Sequence, residues 1–157
     1  MSETDLLGDS VAQELLNSRE LVRLAYTWPD GTPRVVPIWF HWDGTRIVIG
    51  TPATSPKVRA LALRPDVSLT IDTSKWPYHA LLVRGVVEIE HVVGAPPEVS
   101  SAAERYLGAD QGRAWMQQAG ALFMDWVRLG VVPSFVRIID YETRMPSVIA
   151  AAIAGQS

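Results

Sequence analysis

The feature that most restricts the fold of this chain is a series of three short strand-type runs divided by tight-turn signals. The runs are LVRLAYTW (21–28), TPRVVPIWFHW (32–42) and TRIVIGT (45–51), and each is rich in β-branched and aromatic residues. The segments PDG (29–31) and DG (43–44) separate them, and Asp-Gly is a strong signal for a tight hairpin. We therefore predict an antiparallel meander of three strands.

Pro37 lies within the second of these runs. Proline has no N–H to donate to a sheet ladder, so a strand that contains it is confined to a sheet edge or is interrupted by a bulge. The run 32–42 is therefore predicted to be an edge strand or to contain a bulge.

The rest of the chain contains both helix-type and strand-type segments. Helices are predicted over four stretches: 4–18, 56–64, 98–107 and 110–129. Three further strands are predicted: 66–72, 80–91 and 134–142. Gly85 indicates a bend or a close backbone approach. The stretch 73–79 is predicted to be a loop, and the apolar tail from residue 148 indicates no particular structure.

Together these segments predict an α+β fold that is mainly β. We expect a six-stranded antiparallel barrel decorated with helices, with the helix 56–64 packed across one end. At 157 residues and 48% hydrophobic, the chain fits a single domain, 1–157, that can bury a core. We place the core barrel at about 20–143 and a separate N-terminal helix before it.

Composition excludes several classes of protein. The net charge of −3 provides no general attraction to nucleic acid or to an anionic membrane. The absence of cysteine excludes disulfide scaffolds and thiolate metal sites, and His41, His79 and His91 follow no metal-ligand spacing. The N-terminus is acidic, and no apolar run reaches the roughly 20 residues of a membrane span. We therefore expect a cytoplasmic protein.

The Ser-Pro-Lys segment that starts at Ser55 suggests an anion site. Ser55 can cap a helix whose first position is Pro56. Lys57 then lies in the first turn, where the helix dipole disfavours a cation by up to ~1 kcal/mol. A bound anion would offset this cost, because helix N-termini present free N–H groups, and Thr51 and Arg59 add a hydroxyl and a second cation. The alternative is a solvated lysine beside an ordinary cap.

The same region resembles a known family. Its ordered pattern is a strand, the DG hairpin, a strand ending in Thr, SPK at a helix start, RPDV, and a strand containing VRG, over about residues 20–91. In this pattern the chain resembles the pyridoxamine-phosphate-oxidase-like split-barrel flavoproteins, and more closely their flavin- and deazaflavin-dependent oxidoreductase branch. The resemblance implies a homodimeric split β-barrel of the FMN-binding type, with the cofactor at the subunit interface.

The resemblance also implies roles for particular residues. Thr51, Ser55 and Lys57 would hold the cofactor phosphate. The strand containing VVPIW would lie along the flavin ring, with these candidate contacts: Val36, Pro37, Ile38 and Trp39. His79 either approaches the cofactor from the partner subunit or is an ordinary loop residue.

Two departures from the family pattern bear on the cofactor and the reaction. Pro56 stands where flavin-binding oxidases of the family usually have arginine, and Arg59 is the nearby cation able to replace it. The Arg/His pair that binds pyridoxal phosphate near the C-terminus of true pyridoxamine phosphate oxidases is not found. We therefore do not expect oxidation of vitamin B6.

The function expected from the resemblance is that of an oxidoreductase. It would transfer hydride between FMN, or alternatively a deazaflavin (coenzyme F-420), and a small conjugated or hydrophobic substrate. The cofactor ring carries the electrons in such chemistry, and no catalytic residue is assigned. The alternatives are a non-catalytic flavin-binding carrier or sensor and a haem-binding or haem-degrading protein. The aromatic stretch 115–130 is interpreted as core or interface, although such a helix could also roof a pocket.

Overall fold

The computed structural model describes residues 2–156, which form one antiparallel sheet of seven strands and five α-helices. The strands are β1 (Val22–Thr27), β2 (Pro33–Ile38), β3 (His41–Trp42), β4 (Ile47–Pro52), β5 (Asp66–Asp72), β6 (His79–Val93) and β7 (Asp125–Asp140). The helices are α1 (Ser10–Leu16), α2 (Pro56–Leu63), α3 (Pro97–Leu107), α4 (Ala109–Leu122) and α5 (Ser147–Ala154), and a short 3-10 helix over Asp5–Gly8 precedes α1.

The order of strands in the sheet is β2-β1-β5-β6-β7-β4-β3. The edge strands β2 and β3 are separated in the sequence by only Trp39 and Phe40. Three trans peptide steps cover at most about 11 Å, so the two edges approach each other here and the sheet curls. Within residues 2–156 no ladder joins β2 to β3, and closure into a barrel stays a prediction.

Two helices seal the main hydrophobic core against one face of the sheet. Helix α1 buries Ala12, Leu15 and Leu16, and α2 buries Val58, Ala60 and Leu61. Both helices contribute to the same cluster as Ile47 and Ile49 of β4 and Leu129 of β7. Helix α2 thus carries the chain from β4 to β5 while its apolar side packs into the core.

The α3–α4 hairpin covers the opposite face of β4. Ile49 belongs to the main core, and the next residue, Gly50, is so close to α3 that a Cβ there would collide with Val99. Successive strand residues point to opposite faces. Val99, Ala119 and Trp126 therefore form a second, smaller core beneath the hairpin.

Several sequence predictions are confirmed at the level of elements. The DG hairpin joins β3 to β4, with the Asp43 N–H donating to the Arg46 carbonyl at 3.1 Å. Pro37 lies on β2, an edge strand, and the ladder between β6 and β7 changes register between Arg84 and Gly85.

The largest error lies in the predicted helix 110–129. Helix α4 ends at Leu122, and the chain from Asp125 onward is strand, so the last strand spans 125–140 rather than 134–142. Trp126 and Val127 stand at helical spacing from Trp115, but β7 pairs with both β4 and β6. Strand pairing on both sides overrides the local helical pattern.

Smaller differences concern the number and length of elements. The predicted strand 32–42 is divided at Trp39 and Phe40 into two edge strands, which raises the strand count from six to seven. The predicted helix 4–18 is a 3-10 turn followed by α1. The tail forms α5, whose side chains are all exposed. Of the helices described, none is both long and apolar enough to span a membrane.

Candidate functional site

The junction between β4 and α2 brings together the three residues expected to hold a phosphate. Lys57 Nζ donates to Ser55 Oγ at 2.8 Å and to Thr51 Oγ1 at 3.5 Å. Thr51 is the last-but-one residue of β4 and is almost fully buried, while Ser55 and Lys57 are half-buried. We call these three residues the Lys57 cluster.

Ser55 occupies the N-cap position of α2 but does not cap the helix with its side chain. Its backbone is extended, with φ −62° and ψ 129°, and Pro56 follows at the first helical position. The prediction that Ser55 occupies the N-cap position is therefore confirmed. The predicted side-chain cap is not formed, because the Ser55 hydroxyl accepts a hydrogen bond from Lys57 instead. The first-turn N–H groups of α2 consequently receive no side-chain cap from Ser55.

Lys57 is an unneutralised cation in an unfavourable position. Burial lowers the pKa of Lys57 below its ordinary value of 10.5. Within residues 2–156 no carboxylate lies within ion-pair distance of its ammonium group. The positive end of the helix dipole adds to this cost. A cation held by two hydroxyls at a helix N-terminus is an arrangement that an anion would stabilise.

Arg59 does not join the Lys57 cluster. Its side chain is exposed and makes no hydrogen bond or ion pair in the part of the chain that the structure describes. Arg59 and Ser55 instead share the wall of an open cavity of about 540 Å³, which Trp28 also lines. Arg59 is thus able to reach a ligand that extends from Ser55 along the outside of α2.

The four residues proposed to contact a flavin ring are divided between two environments. Val36 packs against the main core and Pro37 is exposed on the edge strand. Ile38 also packs against the main core and, with Trp39, lines a cavity of about 390 Å³ beneath the α3–α4 hairpin. Strand alternation explains why Val36 and Ile38 share the core face while Pro37 between them is exposed.

The cavity beneath the hairpin is enclosed mainly by apolar and aromatic side chains. It lies between the outer face of β4, the start of β7 and helices α3 and α4. Its lining residues are Ile38, Trp39, Phe40, Val48, Gly50, Thr51, Pro52, Glu98, Val99, Ala102, Trp115, Ala119, Phe123 and Trp126. Thr51 belongs both to this lining and to the Lys57 cluster.

Aromatic contacts fix the wall of the cavity. Trp39 stacks on Tyr106 with ring centroids 5.2 Å apart, and its centroid lies 4.9 Å from that of Trp115. Arg105 ties α3 to the sheet side by donating to the backbone carbonyls of Ser18, at 2.8 Å, and Phe40. The hairpin is therefore anchored at its outer end rather than resting on the cavity alone.

Most of this cavity cannot be identified from the sequence. The sequence indicates that the aromatic stretch 115–130 is able to roof a pocket, but it gives no reason to select Glu98, Val99 or Ala102. Gly50 carried a usable signal, because a glycine inside a strand marks a close approach by another segment. That signal does not say which segment approaches.

His79 lies far from the Lys57 cluster within one chain. Its Nε2 is 3.3 Å from Asp140 and 3.2 Å from Glu142, although neither approach has hydrogen-bond geometry. His79 pairs with Asp140 at one end of the β6–β7 ladder, whereas Thr51 pairs with Val127 near the other end. Any role of His79 at the Lys57 cluster would therefore have to come from a second copy of the chain.

The remaining titratable groups suggest no catalytic residue. Burial lowers the pKa of His41 below its ordinary value of 6.5, which favours the neutral ring. Among the residues described, no group of three or more His, Asp and Glu side chains is arranged to hold a metal ion. The Lys57 cluster and the adjoining cavity are the two features on which we base a ligand-binding hypothesis.

Several solved structures share this architecture. Among solved structures, an F420 reductase is 28% identical with a TM-score of 0.60, over 80% of this chain and 94% of that chain. A conserved hypothetical protein from Mycobacterium tuberculosis is 24% identical with a TM-score of 0.67, over 86% of each chain. A FAD-binding protein from Mesorhizobium loti shares the fold at 17% identity and a TM-score of 0.54, over 80% of this chain and 87% of that chain.

The family follows from the sequence match. No curated protein matches the chain. The profile of the pyridoxamine 5'-phosphate oxidase family matches residues 9–127, from the N-cap of α1 to the third residue of β7. This match covers most of the chain and includes both the Lys57 cluster and the cavity. The chain therefore belongs to the pyridoxamine 5'-phosphate oxidase family.

Proposed function

We propose that this protein is an oxidoreductase that binds a flavin-type cofactor by its phosphate at the Lys57 cluster. The cofactor is FMN or, alternatively, a deazaflavin, and the substrate is a small conjugated or hydrophobic molecule. Family membership supports flavin-related redox chemistry. Similarity to an F420 reductase supports the deazaflavin as the alternative cofactor.

The observation that carries the proposal is the position of the Lys57 ammonium group. It is half-buried, held by Ser55 and Thr51, and without a carboxylate partner within residues 2–156. A structural lysine would gain from an acidic partner or from full solvation, and Lys57 has neither. A phosphate would accept charge-assisted hydrogen bonds from it, which are shorter and stronger than neutral ones.

The residues of the chain would bind and orient the cofactor. Lys57 would donate to the phosphate, and the Ser55 and Thr51 hydroxyls, which now accept from Lys57, would be able to rotate and donate as well. Arg59 lies on the wall of the open cavity beside Ser55 and would meet a second part of the ligand. When bound, the cofactor ring supplies the hydride chemistry, and the protein supplies binding, orientation and exclusion of water.

The test is a titration of the purified protein with FMN and, separately, with the deazaflavin, followed by cofactor fluorescence at fixed salt. Removing a hydrogen bond to a charged group costs about 1.5–3 kcal/mol, so Lys57→Ala should weaken cofactor binding roughly 10- to 150-fold. Lys75→Ala is the matched control, because Lys75 is the only other lysine and is exposed in the loop before β6. It should bind the cofactor like the wild type.

A stability measurement separates loss of a ligand contact from loss of structure. Without cofactor, Lys57→Ala should unfold at the same denaturant concentration as the wild type or slightly higher, because it removes a cation from the positive end of α2. Equal cofactor affinity in wild type and Lys57→Ala would refute the phosphate site. Tight binding with no oxidation of the reduced cofactor by any added acceptor would instead indicate a carrier or sensor.

A further inference from the structure

The cavity beneath the α3–α4 hairpin is partly open to solvent, so a ligand would be able to enter it. Its volume is about 390 Å³. An apolar cavity of about 150 Å³ is enough to take up benzene. The space is therefore sufficient for a molecule of two or three fused rings.

Small residues create the space between the hairpin and the sheet. Ala102 of α3 and Ala119 of α4 face the cavity and are buried. Gly50 lies on the sheet side of the cavity and has no side chain to occupy the space. Val99 of α3 packs directly over this glycine. Larger residues at the two alanine positions would fill the cavity from above.

The polar groups of the cavity are few and mostly satisfied. Glu98 contributes the lining's one carboxylate, and it pairs with Arg128, whose Nε is 3.1 Å from Oε1 and whose Nη2 donates to Oε2 at 3.1 Å. Arg128 also donates to Glu90 at 2.7 Å, so it is already engaged by two carboxylates. The Trp126 indole N–H donates to the Phe123 carbonyl at 3.0 Å. An anionic ligand would find no cation among the described residues of the lining, and a ring with several polar edges would leave them unpaired.

We propose that this cavity binds an uncharged, flat, mainly aromatic molecule and that this molecule represents the substrate class of the protein. The aromatic rings of Trp39, Trp115 and Trp126 favour a flat partner, because offset and edge-to-face contacts add about 0.5–1.5 kcal/mol per pair beyond area burial. Binding depends only on the cavity, whereas turnover of the bound molecule rests on the proposed function.

The position of Thr51 connects the cavity with the cofactor site. Thr51 lines the cavity, and its hydroxyl lies 3.5 Å from Lys57 Nζ. Thr51 alternates with Gly50 along β4, so its side chain points away from the face of the strand that Gly50 forms. A molecule in the cavity and a phosphate at the Lys57 cluster would therefore lie on opposite sides of β4 at this residue, and the two ligands would bind at the same time.

Binding is tested with N-phenyl-1-naphthylamine, an uncharged aromatic probe whose fluorescence rises in an apolar site. Ala119→Phe and Ala102→Phe fill the cavity from different helices and should each weaken binding by about tenfold or more. Ala121→Phe is the matched control, because Ala121 is exposed on the same helix as Ala119. It should bind the probe within about twofold of the wild type.

NMR of the wild-type protein locates the bound probe even if a cavity-filling variant fails to fold. Indole N–H resonances are assigned through single Trp→Phe substitutions. The probe should shift those of Trp39, Trp115 and Trp126, which line the cavity, and leave those of Trp28 and Trp76 in place. Unshifted cavity indoles, or undiminished probe binding by both folded filling variants, would overturn the proposal.

A competition experiment separates this inference from the proposed function. Saturating FMN should leave probe affinity unchanged, and displacement of the probe by FMN would show that the cavity is a cofactor site and not a substrate site. Lys57→Ala should bind the probe like the wild type. An unaltered FMN affinity in Lys57→Ala, with probe binding intact, would refute the phosphate site and leave the cavity standing.

Discussion

At the scale of single residues, Asp140 shows how a buried charge is held at the end of the longest strand. Its Oδ1 accepts from the backbone N–H groups of Glu142 and Thr143, both at 2.9 Å, and Oδ2 accepts from Arg144 Nε at 3.2 Å. Hydrogen bonds from the Thr143 hydroxyl and backbone lower the pKa of Asp140 below its ordinary value of 3.8. Arg144 also contacts Asp9 at 2.8 Å, which ties this turn to the start of α1.

The Asp140 carboxylate should make stability depend on pH. Because its pKa is lowered in the folded state, its stabilisation is fully present above the unfolded pKa of about 3.9 and is lost as the pH falls toward the folded value. Asp140→Asn should lower the free energy of unfolding at pH 7 by about 1.5–3 kcal/mol and flatten its fall below about pH 4. Urea denaturation between about pH 2.5 and 7 measures both effects.

Asp110→Asn is the control for this prediction, because its carboxylate is 94% exposed and, among residues 2–156, pairs with Arg113 alone. Exposed ion pairs contribute little, so this variant should follow the wild-type curve. Parallel pH curves for wild type and Asp140→Asn would show that the carboxylate is not held as described.

At the scale of elements, the long ladder between β6 and β7 depends on a bulge. The register changes between Arg84 and Gly85, where the backbone of β7 comes unusually close. A Cβ at Gly85 would collide with the carbonyl oxygen of Val132 and lie 2.9 Å from Val131 Cγ1. Since the nearest obstacle is backbone, it cannot move aside as a flexible side chain would.

Gly85→Ala should therefore lower the free energy of unfolding by about 1–3 kcal/mol, the usual cost of overpacking. The matched control is Gly120→Ala in α4, where no heavy atom lies within 4 Å of the added Cβ. That change should be neutral or stabilise the helix by up to about 1 kcal/mol. Equal stability of Gly85→Ala and the wild type in denaturant unfolding would contradict the close approach.

At the scale of the whole molecule, the curled sheet leaves apolar strand residues on the surface. Val35 on the edge strand β2 is 65% exposed, and Val86 and Val132, which pair with each other next to the bulge, are 43% and 39% exposed. Trp76, in the loop before β6, is 63% exposed. In a monomer these side chains would be exposed to solvent, whereas a dimer interface would bury some of them.

We expect a homodimer, which would also allow His79 of one copy to approach the Lys57 cluster of the other. Sedimentation at micromolar concentration should give about 35 kDa, twice the chain mass of 17.3 kDa. Obligate interfaces of this kind bury on the order of 2,000 Å² or more, so the dimer should persist on dilution. A monomer of one chain mass would rule out the shared site.

Local stereochemistry explains which features could be predicted from the sequence. Pro37 restricts a strand to an edge, Gly85 permits a close approach, and Ser55 followed by Pro56 begins a helix, each through constraints that act within a few residues. The meeting of Thr51, Ser55 and Lys57 was also predictable, because the last of them follows the first by only six positions. The anion-binding role of these residues stays a prediction.

The tertiary structure alone decided the features that depend on distant segments. Residues 125–129 are strand because β4 and β6 pair with them on both sides. The free energy gained from this pairing cannot be read from a local helical pattern. The cavity exists because α3 and α4 pack over the outer face of β4, and the sequence does not state that Val99 will meet Gly50. Long-range pairing and packing set these outcomes, since their energy comes from neighbours that are adjacent in space and remote along the chain.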